Sequence, residues 1–296
     1  MPLHDVLVLG RTGQVARALA NCKPRNWRLH FADRAEIDLA EPERSARMVM
    51  KRKPALVINA AAYTAVDKAE MEPDLAIRIN AEAPGAIAHA CSNLDIPFVT
   101  FSSDYVFDGT KQSAYVEEDR VCPINAYGLS KARGEDLVRA ANNWHLILRT
   151  SWIFSATGHN FVRTMLRLAR ERPSIGVVAD QRGRPTAAND LAGATVVAAH
   201  RLLEDRGVSG TYHVANAGAT TWHEFALGIF EGAKSRGSGI PAVHPVTTSE
   251  FPTPARRPIS SELSTAKFEQ IFGQTLRRWG EPLAEVLDEL LTPLAR

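Results

Sequence analysis

The sequence predicts an α/β protein, and three observations support this fold class. Apolar, strand-like runs alternate with helical patterns five times through residue 150. The first strand leads through a glycine turn directly into a helix. After residue 150 the alternation stops, and shorter elements follow in mixed order. Regular alternation is typical of a parallel sheet covered by helices on both faces. We therefore predict a Rossmann-type doubly wound parallel sheet with a smaller mixed α/β C-terminal domain.

The elements of the first half follow from short apolar runs separated by polar, helix-forming segments. Each strand is a run of five or six mainly apolar residues, and each helix carries apolar residues three or four positions apart. The predicted strands span Asp5–Leu9, Trp27–Ala32, Ala55–Asn59, Ile96–Phe101 and Trp144–Arg149. The predicted helices span Glu41–Lys53, Asp74–Asn93 and Asn125–Asn142, in addition to the helix after the glycine turn.

The second half defines the domain division. Its predicted helices and strands are Phe161–Arg172, Ile175–Val178, Asn189–Leu203, Gly210–Asn216 and Thr221–Lys234, and Thr220 or Thr221 is expected to cap the last helix. Residues 181–186 and 235–261 read mostly as loop, and two short helices close the chain. We expect residues 1–150 to form a dinucleotide-binding domain, completed by about 188–216. Residues 151–187 and 217–296 are expected to form a substrate-binding domain.

Composition excludes several classes of protein. The net charge of +2 is too small, and the basic clusters too short, for a nucleic-acid-binding surface. The chain enters a strand pattern almost at once, and no apolar run is long enough to cross a membrane. Three widely spaced cysteines fit neither a disulfide framework nor a zinc site, and the nine histidines show no metal-ligand spacing. We therefore expect a cytoplasmic protein without a metal.

The glycine turn is the first candidate site. Gly10 and Gly13 lie between the first strand and the first helix, and Ala16 supplies a third small residue where the helix packs on the strand. Such a turn lets backbone approach a pyrophosphate, and the helix N-terminus adds partial positive charge. A glycine pair alone is a weak signal, but its place at the first strand–helix junction favours a dinucleotide cofactor.

The end of the second strand bears on which dinucleotide is bound. Asp33 lies about 20 residues past the glycines, where an acid suits the adenine ribose hydroxyls. Arg34 could instead hold a 2′-phosphate, so NADH and NADPH both remain open. Asp38 and Leu39 are plausible contacts to adenine, although Asp38 could equally be a helix N-cap.

The ends of two further strands carry candidate cofactor-binding and substrate-binding residues. The third opens into the small-residue run Ala60–Thr64, against which a flat cofactor could lie, and the charged loop after it, including Asp67, is expected to be mostly solvated. The fourth ends near Ser103, whose hydroxyl could bind a substrate carbonyl or merely cap a turn.

Tyr127 and Lys131 are four residues apart on one predicted helix and share a face. A neighbouring ammonium stabilises a phenolate and lowers the pKa of the phenol, which makes the phenol a usable acid. By itself this spacing also occurs on ordinary surface helices. The glycine turn and Ser103 favour the catalytic interpretation.

With these motifs in place, the chain resembles the extended short-chain dehydrogenases/reductases, and within them the dTDP-4-dehydrorhamnose reductase branch. Similar segments cover nearly the whole chain in order, and the most specific are Asn59–Glu70 and Phe101–Phe107. The resemblance implies reduction, with NADPH or NADH, of the C4 ketone of dTDP-4-dehydro-β-L-rhamnose. It implies a nucleotide-sugar substrate and leaves room for a homodimer.

The resemblance also assigns roles to individual residues. Tyr127 would be the proton donor, Lys131 would lower its pKa and hold the nicotinamide ribose, and Ser103 would polarise the ketone. Cofactor contacts would come from Gly10, Thr12, Gly13, Gln14, Val15, Asp33, Asp38, Leu39, Ala62, Tyr63, Thr64, Phe101, Tyr127 and Lys131. Substrate contacts would come from Ser103, Asp104, Trp152, Asn160, Arg184 and Arg257, the last three toward the nucleotide diphosphate.

Two departures from the family pattern qualify the roles. Ser103 stands where Thr is usual, which keeps the hydroxyl but frees a rotamer. Some members are bridged by magnesium through glutamates, but one such position is Ala18 here, so no metal is carried over. The Asp104-Tyr105 pair, in the place of the acidic pair of related dehydratases, favours a simple reductase. The alternatives are an NADP-binding regulatory subunit of a partner enzyme and a reductase of another nucleotide-4-ketosugar.

Overall fold

The computed structural model describes residues 3–291, and a six-stranded parallel sheet forms its centre. The chain first contributes the following strands and helices: β1 His4–Leu9, α1 Gln14–Cys22, β2 Trp27–Ala32, α2 Pro42–Arg52, β3 Leu56–Asn59, α3 Val66–Ala69, α4 Pro73–Ile77, α5 Ala83–Asn93, β4 Phe98–Ser103, α6 Ala126–Ala141 and β5 His145–Thr150. Each predicted strand of this half is present, with its ends shifted by at most two residues. The strands are regular because their residues are apolar and buried between two layers of helices.

The second half adds one strand to the central sheet and builds a smaller body around short strands. Its elements are β6 Ile153–Phe154, α7 Phe161–Glu171, β7 Ser174–Val178, β8 Arg182–Gly183, β9 Thr186–Ala187, α8 Ala188–Glu204, β10 Gly210–His213, β11 Thr220–Thr221, α9 Trp222–Lys234, β12 Ala242–Val246, α10 Ala266–Phe272 and α11 Gly280–Leu291. β6 pairs with β9, β7 with β12 and β8 with β11.

The central sheet has the order β10-β5-β4-β3-β1-β2, and all its pairs are parallel. One face is covered by α1, α8 and α10, and the opposite face by α2, α5 and α6. The order runs outward in both directions from β1 and β3, which is the doubly wound arrangement. The predicted fold class is confirmed. Parallel strands place all their carboxyl ends on one edge, where ligands bind in such sheets.

Three details of the secondary structure differ from the sequence-based predictions. Residues 235–261 were expected to be mostly loop, but they contain β12, whose Pro245 is tolerated because β12 pairs on one side only. The predicted loop at residues 181–186 contains β8 and half of β9. The predicted helix Asp74–Asn93 is interrupted by a π-helical turn, Arg78–Glu82, between α4 and α5.

Side chains cap α6 and α9, and the sequence predicts the cap of α9. Asn125 begins α6 and accepts a hydrogen bond from the Gly128 N–H at 2.7 Å. Thr221 begins α9 in a reciprocal capping box with Glu224. No helix among residues 3–291 is both long and apolar enough to span a membrane. The division into a dinucleotide-binding and a substrate-binding domain stays a prediction.

Candidate active site

The glycine turn lies at the carboxyl edge of the sheet, between β1 and α1. Gly10 has a φ of +100°, and a Cβ atom there would lie 3.3 Å from the backbone carbonyl of Ala60. The turn therefore needs glycine for its conformation and for the close approach of the loop after β3. Gly13 begins α1 without any side-chain cap, so the first N–H groups of the helix are open to an anion. This cradle fits a dinucleotide pyrophosphate.

Gln14 joins the glycine turn to the second half of the chain. Its side-chain oxygen accepts hydrogen bonds from Ser155 Oγ at 2.8 Å and from Asn160 Nδ2 at 2.9 Å. The amide of Asn160 also caps α7 through the N–H of Arg163 at 3.1 Å. Asn160 is a predicted contact of the substrate diphosphate, and in the protein alone its Nδ2 donates to Gln14 and to the Ser155 carbonyl while its Oδ1 caps α7. The remaining turn residues, Thr12 and Val15, flank this cradle on its exposed and buried sides.

The adenosine end of the cradle combines acidic and basic side chains. Asp33 follows β2 and accepts the N–H of Ala35 at 3.0 Å, and Arg11 lies 4.0 Å from its carboxylate. Asp38 is paired with Arg34 at 3.1 Å. Hydrogen bonds from the Ala40 backbone and from Arg34 outweigh burial and hold the pKa of Asp38 below its usual value.

The structure adds a detail for each of the two residues expected at adenine, Asp38 and Leu39. Helix α2 begins after Glu41, so Asp38 is not its N-cap. Leu39 is buried in the core against the sheet, so a contact to adenine would come from its backbone.

Asn80 connects the cofactor side of the cleft to the helix that carries Tyr127. It accepts the N–H of Tyr63 and donates to its carbonyl, both at 2.9 Å, and it donates to Ser130 Oγ at 2.9 Å. Ser130 in turn donates to the carbonyl of Tyr127 at 2.7 Å. The exposed neighbours of Tyr63, Ala62 and Thr64, complete this wall of the cleft. Asn80 lies in the π-helical turn, a feature common at functional sites.

Tyr127 and Lys131 lie one turn apart on α6, as predicted. The Lys131 ammonium is buried and donates to the carbonyl of Phe101 at 2.6 Å. Burial lowers the pKa of Lys131 to about 8, against the opposing charge of Glu135. Burial raises the pKa of Tyr127 to about 12, although the Ser103 hydroxyl opposes the shift. The pKa of Tyr127 is therefore raised rather than lowered in the protein alone, because desolvation is the largest effect.

Ser103 and Asp104 form the other side of the reacting centre. The Ser103 hydroxyl donates to Asp104 Oδ1 at 2.9 Å and accepts the N–H of Tyr105 at 3.2 Å. Ser261, from the C-terminal segment, donates to Asp104 Oδ2 at 2.5 Å. Burial raises the pKa of Asp104 to about 6, and the hydroxyls of Ser261 and Ser103 oppose that shift. Ser103 is thus both a turn cap and a candidate ligand for a carbonyl.

Trp152 is held in a strained backbone conformation by stacking. Its φ is +47°, which is uncommon for a bulky residue. Its indole stacks on Trp222 with ring centroids 3.5 Å apart and planes 9° apart. Gly183 lies beneath the indole, where a Cβ would come within 2.6 Å of the ring. Both indoles are half-buried, and the aromatic surface that they leave exposed suits contact with a sugar.

Neither arginine expected at the diphosphate is free of ion pairs. Arg184 contacts Glu262 at 3.0 Å. Arg257 holds Asp67 in a bidentate pair, with one contact of 2.9 Å, and this pair lowers the pKa of Asp67. Asp67 is therefore an exception to the expectation that the charge of this loop is mostly solvated, because a segment 190 residues later in the chain reaches it.

Sequence reasoning missed Asn80 and Ser261 as parts of the site. Ser261 belongs to a segment that resembled the family, but nothing in its spacing predicts contact with Asp104, 157 residues away. The signal for Asn80 is equally weak, since a π-helical turn has no simple sequence pattern.

A doubly wound sheet that brings a glycine cradle and a Tyr–Lys pair to one edge is the architecture of the short-chain dehydrogenases/reductases, and this chain is an oxidoreductase of that class. A family model described as RmlD substrate binding domain matches residues 4–292. The chain belongs to this family, and the resemblance inferred from its motifs is confirmed.

Individual relatives agree with the family assignment. The chain is 42% identical to the dTDP-4-dehydrorhamnose reductase of Burkholderia thailandensis over 97% of this chain and 99% of the relative. It is 41% identical to the enzyme of the same name from Escherichia coli K12, over 98% and 99% of the two chains. A solved dTDP-4-dehydrorhamnose reductase from Bacillus anthracis, in complex with NADP, is 36% identical with a TM-score of 0.89 and covers 97% of this chain and 99% of its own.

A more distant structure shares only the fold. The UDP-glucose 4-epimerase of Thermus thermophilus, in complex with NAD, is 18% identical with a TM-score of 0.80 and covers 98% of this chain and 100% of its own.

Proposed function

We propose that this protein reduces the C4 ketone of dTDP-4-dehydro-β-L-rhamnose to dTDP-β-L-rhamnose, using NADPH or NADH. The observation that carries the proposal is the meeting of Ser103, Tyr127 and Lys131 beside the glycine cradle, in a chain with reductase relatives about 40% identical over nearly its full length. The site has both a place for a dinucleotide and a proton donor, which are the two requirements for reducing a ketone.

The cradle residues would hold the dinucleotide. Gly10 and Gly13 leave room for the pyrophosphate, and the uncapped N-terminus of α1 offers N–H donors and partial positive charge. Asp33 would contact the adenine ribose, and Arg11 and Arg34, which lie beside Asp33 and Asp38, would meet a 2′-phosphate. The bound cofactor supplies the hydride for C4.

The protein's own part in the reaction is proton donation and orientation. With a pKa of about 12, Tyr127 keeps its proton at neutral pH until an alkoxide begins to form at the C4 oxygen. An alkoxide is basic enough to take that proton, so the phenol is well matched to its task. Lys131, fixed on the Phe101 carbonyl, offers a positive charge that stabilises the phenolate left behind.

The nucleotide sugar would occupy the remaining walls of the cleft. Trp152 offers its stacked indole to the sugar, and Ser103 with Asp104 contacts the hydroxyl and ketone groups. Arg257 and Arg184 are the candidate cations for the diphosphate, which would compete with Asp67 and Glu262 for them.

Two further features complete the proposal. A cytoplasmic site of action fits the three cysteines, all of which are free thiols. The homodimer allowed by the resemblance stays a prediction, which sedimentation of the purified protein would test.

The decisive experiment follows NADPH and NADH oxidation at 340 nm with a panel of nucleotide-4-ketosugars. We expect turnover with the dTDP-4-ketosugar and its loss, by at least a hundredfold, in Tyr127→Phe, while the variant still binds NADPH. Tyr212→Phe is the matched control, because it removes a phenol hydroxyl that only meets the Val208 carbonyl in the core. Wild-type protein that binds NADPH but oxidises none with any ketosugar would instead favour a regulatory subunit.

A further inference from the structure

A buried chain of three hydrogen-bonding side chains connects the C-terminal segment to the reacting centre. Ser261 Oγ donates to one oxygen of Asp104 at 2.5 Å, and Ser103 Oγ donates to the other at 2.9 Å. Ser103, Asp104 and Ser261 are all at most 6% exposed. Each carboxylate oxygen therefore has one hydroxyl partner and little contact with water.

Backbone hydrogen bonds on both sides hold Ser261 in place. The Ser261 N–H donates to the Arg182 carbonyl at 2.8 Å, and the Arg182 N–H donates to the Ile259 carbonyl at 2.8 Å. The Ser260 N–H donates to the carbonyl of Gly109 at 3.2 Å. Ser261 thus presents its hydroxyl from a segment anchored to β8 and to the loop after β4, rather than from a free loop.

The hydrogen-bonding capacity of Ser103 makes this chain relevant to the reaction. A serine hydroxyl has one proton to donate and two lone pairs to accept with. The proton of Ser103 goes to Asp104, and one lone pair receives the Tyr105 N–H. In the protein alone, one acceptor position remains on Ser103, and a hydrogen bond from Ser103 to Tyr127 or to a ketone needs the proton that now goes to Asp104. The position of the Asp104 carboxylate therefore decides where Ser103 directs its proton.

We propose that Ser261 is a positioning residue, which fixes the Asp104 carboxylate and through it the orientation of the Ser103 hydroxyl next to Tyr127. The proposal deepens the proposed reductase function and rests on it. Ser261 itself touches no reacting atom. Losing its hydroxyl would remove the side-chain partner of one oxygen of a buried carboxylate, and the carboxylate would rotate or take up a proton to relieve that cost.

The charged and ionisable groups around Asp104 give the expected direction of its titration. Tyr105 lies on the same turn as Asp104 and Tyr127 on α6, and both phenols interact with the Asp104 charge. Lys131 follows Tyr127 by one turn and binds the Phe101 carbonyl, and Arg257 meets Tyr105 from the C-terminal segment. Asp104 raises the pKa of both phenols, and Arg257 opposes the effect at Tyr105. Because the Ser261 hydroxyl holds the Asp104 pKa down, its removal should raise that pKa, now about 6, toward neutrality.

The test compares Ser261→Ala with Ser260→Ala. The Ser260 hydroxyl is buried next in the chain and has no hydrogen-bond partner within residues 3–291, so its removal changes the same atoms without cutting a hydrogen bond. For Ser261→Ala we expect kcat to fall roughly tenfold or more with KM changed less than about threefold. We also expect the acid limb of the kcat profile to move up by about one pH unit. Ser260→Ala should match the wild type, and Ser261→Thr should restore most of the loss.

A second readout does not depend on the substrate. The Asp104 carboxyl is titrated in 13C-aspartate-labelled protein by NMR, with Asp104→Asn to assign the signal. Its midpoint should rise in Ser261→Ala and stay unchanged in Ser260→Ala. If Ser261→Ala does not fold, Ser261→Cys, a weaker donor of similar shape, should show the same shift in smaller measure.

The outcomes separate the two proposals. A wild type that reduces no nucleotide-4-ketosugar overturns the proposed function, while the Asp104 titration still reports on Ser261. Equal kcat, pH profile and titration midpoint for Ser261→Ala and Ser260→Ala would overturn the positioning role. A loss of thermal stability in Ser261→Ala with normal kcat and a normal Asp104 titration would show that Ser261 has only a structural role, and would also overturn the positioning role.

Discussion

Replacing Glu135 by Gln should destabilise the protein strongly, because it removes one charge from a buried ion pair. Glu135 and Arg149 side chains are both 2% exposed and share two hydrogen bonds, at 2.8 and 2.7 Å. Gln at 135 keeps one acceptor, so one hydrogen bond survives, but the Arg149 guanidinium loses its counter-charge. Removing one partner of a buried pair costs about 3–5 kcal/mol. Glu135 also pairs with Arg139, which is more exposed, so the loss of this second ion pair should add only a small cost in stability.

Urea denaturation monitored by circular dichroism measures the effect as a change in the free energy of unfolding. The matched control is Asp136→Asn, the same loss of charge at the next position of α6. Asp136 is 79% exposed and pairs with Arg139 on the surface, so its cost should be below about 1 kcal/mol. Equal costs for the two variants, or a cost below about 1 kcal/mol for Glu135→Gln, would refute the view that the buried guanidinium needs its partner.

Two further predictions concern the glycine turn and a buried histidine. Gly10→Ala should weaken NADPH binding at least tenfold and lower the free energy of unfolding by about 1–3 kcal/mol, because φ at Gly10 is +100° and the new Cβ would meet Ala60. Calorimetric titration measures the loss of NADPH binding. Gly239→Ala is the control, because a Cβ at Gly239 meets no other atom. Burial, with a neighbouring guanidinium, lowers the pKa of His213 to about 3. The folded state therefore resists protonation, so stability is fully present above pH 6.5 and is lost as the pH falls toward 3. Between pH 7 and pH 4.5, the midpoint of urea unfolding should fall less in His213→Gln than in the wild type. His244→Gln, a control at an exposed site, should behave like the wild type.

The sequence was most informative where residues are buried on both faces. The strands of the central sheet read as continuous apolar runs because helices cover both sides, and their parallel direction follows from the alternation. Gly10, Asp33 and Ser103 lie at the carboxyl ends of parallel strands, so the topology of the sheet brings them to one edge. Candidate ligands from separate loops can therefore be grouped from the order of the strands and helices alone.

The sequence did not reveal contacts between residues that are far apart in the chain. The contacts of Asp104 with Ser261 and of Asp67 with Arg257 join residues 157 and 190 positions apart, and no local pattern encodes such pairs. The pKa of Tyr127 was predicted in the wrong direction because spacing on a helix shows the neighbouring charge but not the loss of water. The sequence also did not predict β12. This segment is a strand because it pairs with β7, and its composition alone does not indicate one.

The pairing of β10 with β5 has a consequence for how the protein is made. β5 leaves the ribosome some 60 residues before its neighbour β10. At ordinary rates of synthesis that interval lasts about 3 to 12 s. Throughout it, one side of β5, a strand whose six residues are all buried in the finished protein, is an open hydrogen-bonding edge. A nascent chain stalled in this interval, or a gene truncated within it, would present a template for aggregation, so the late strand protects the early ones.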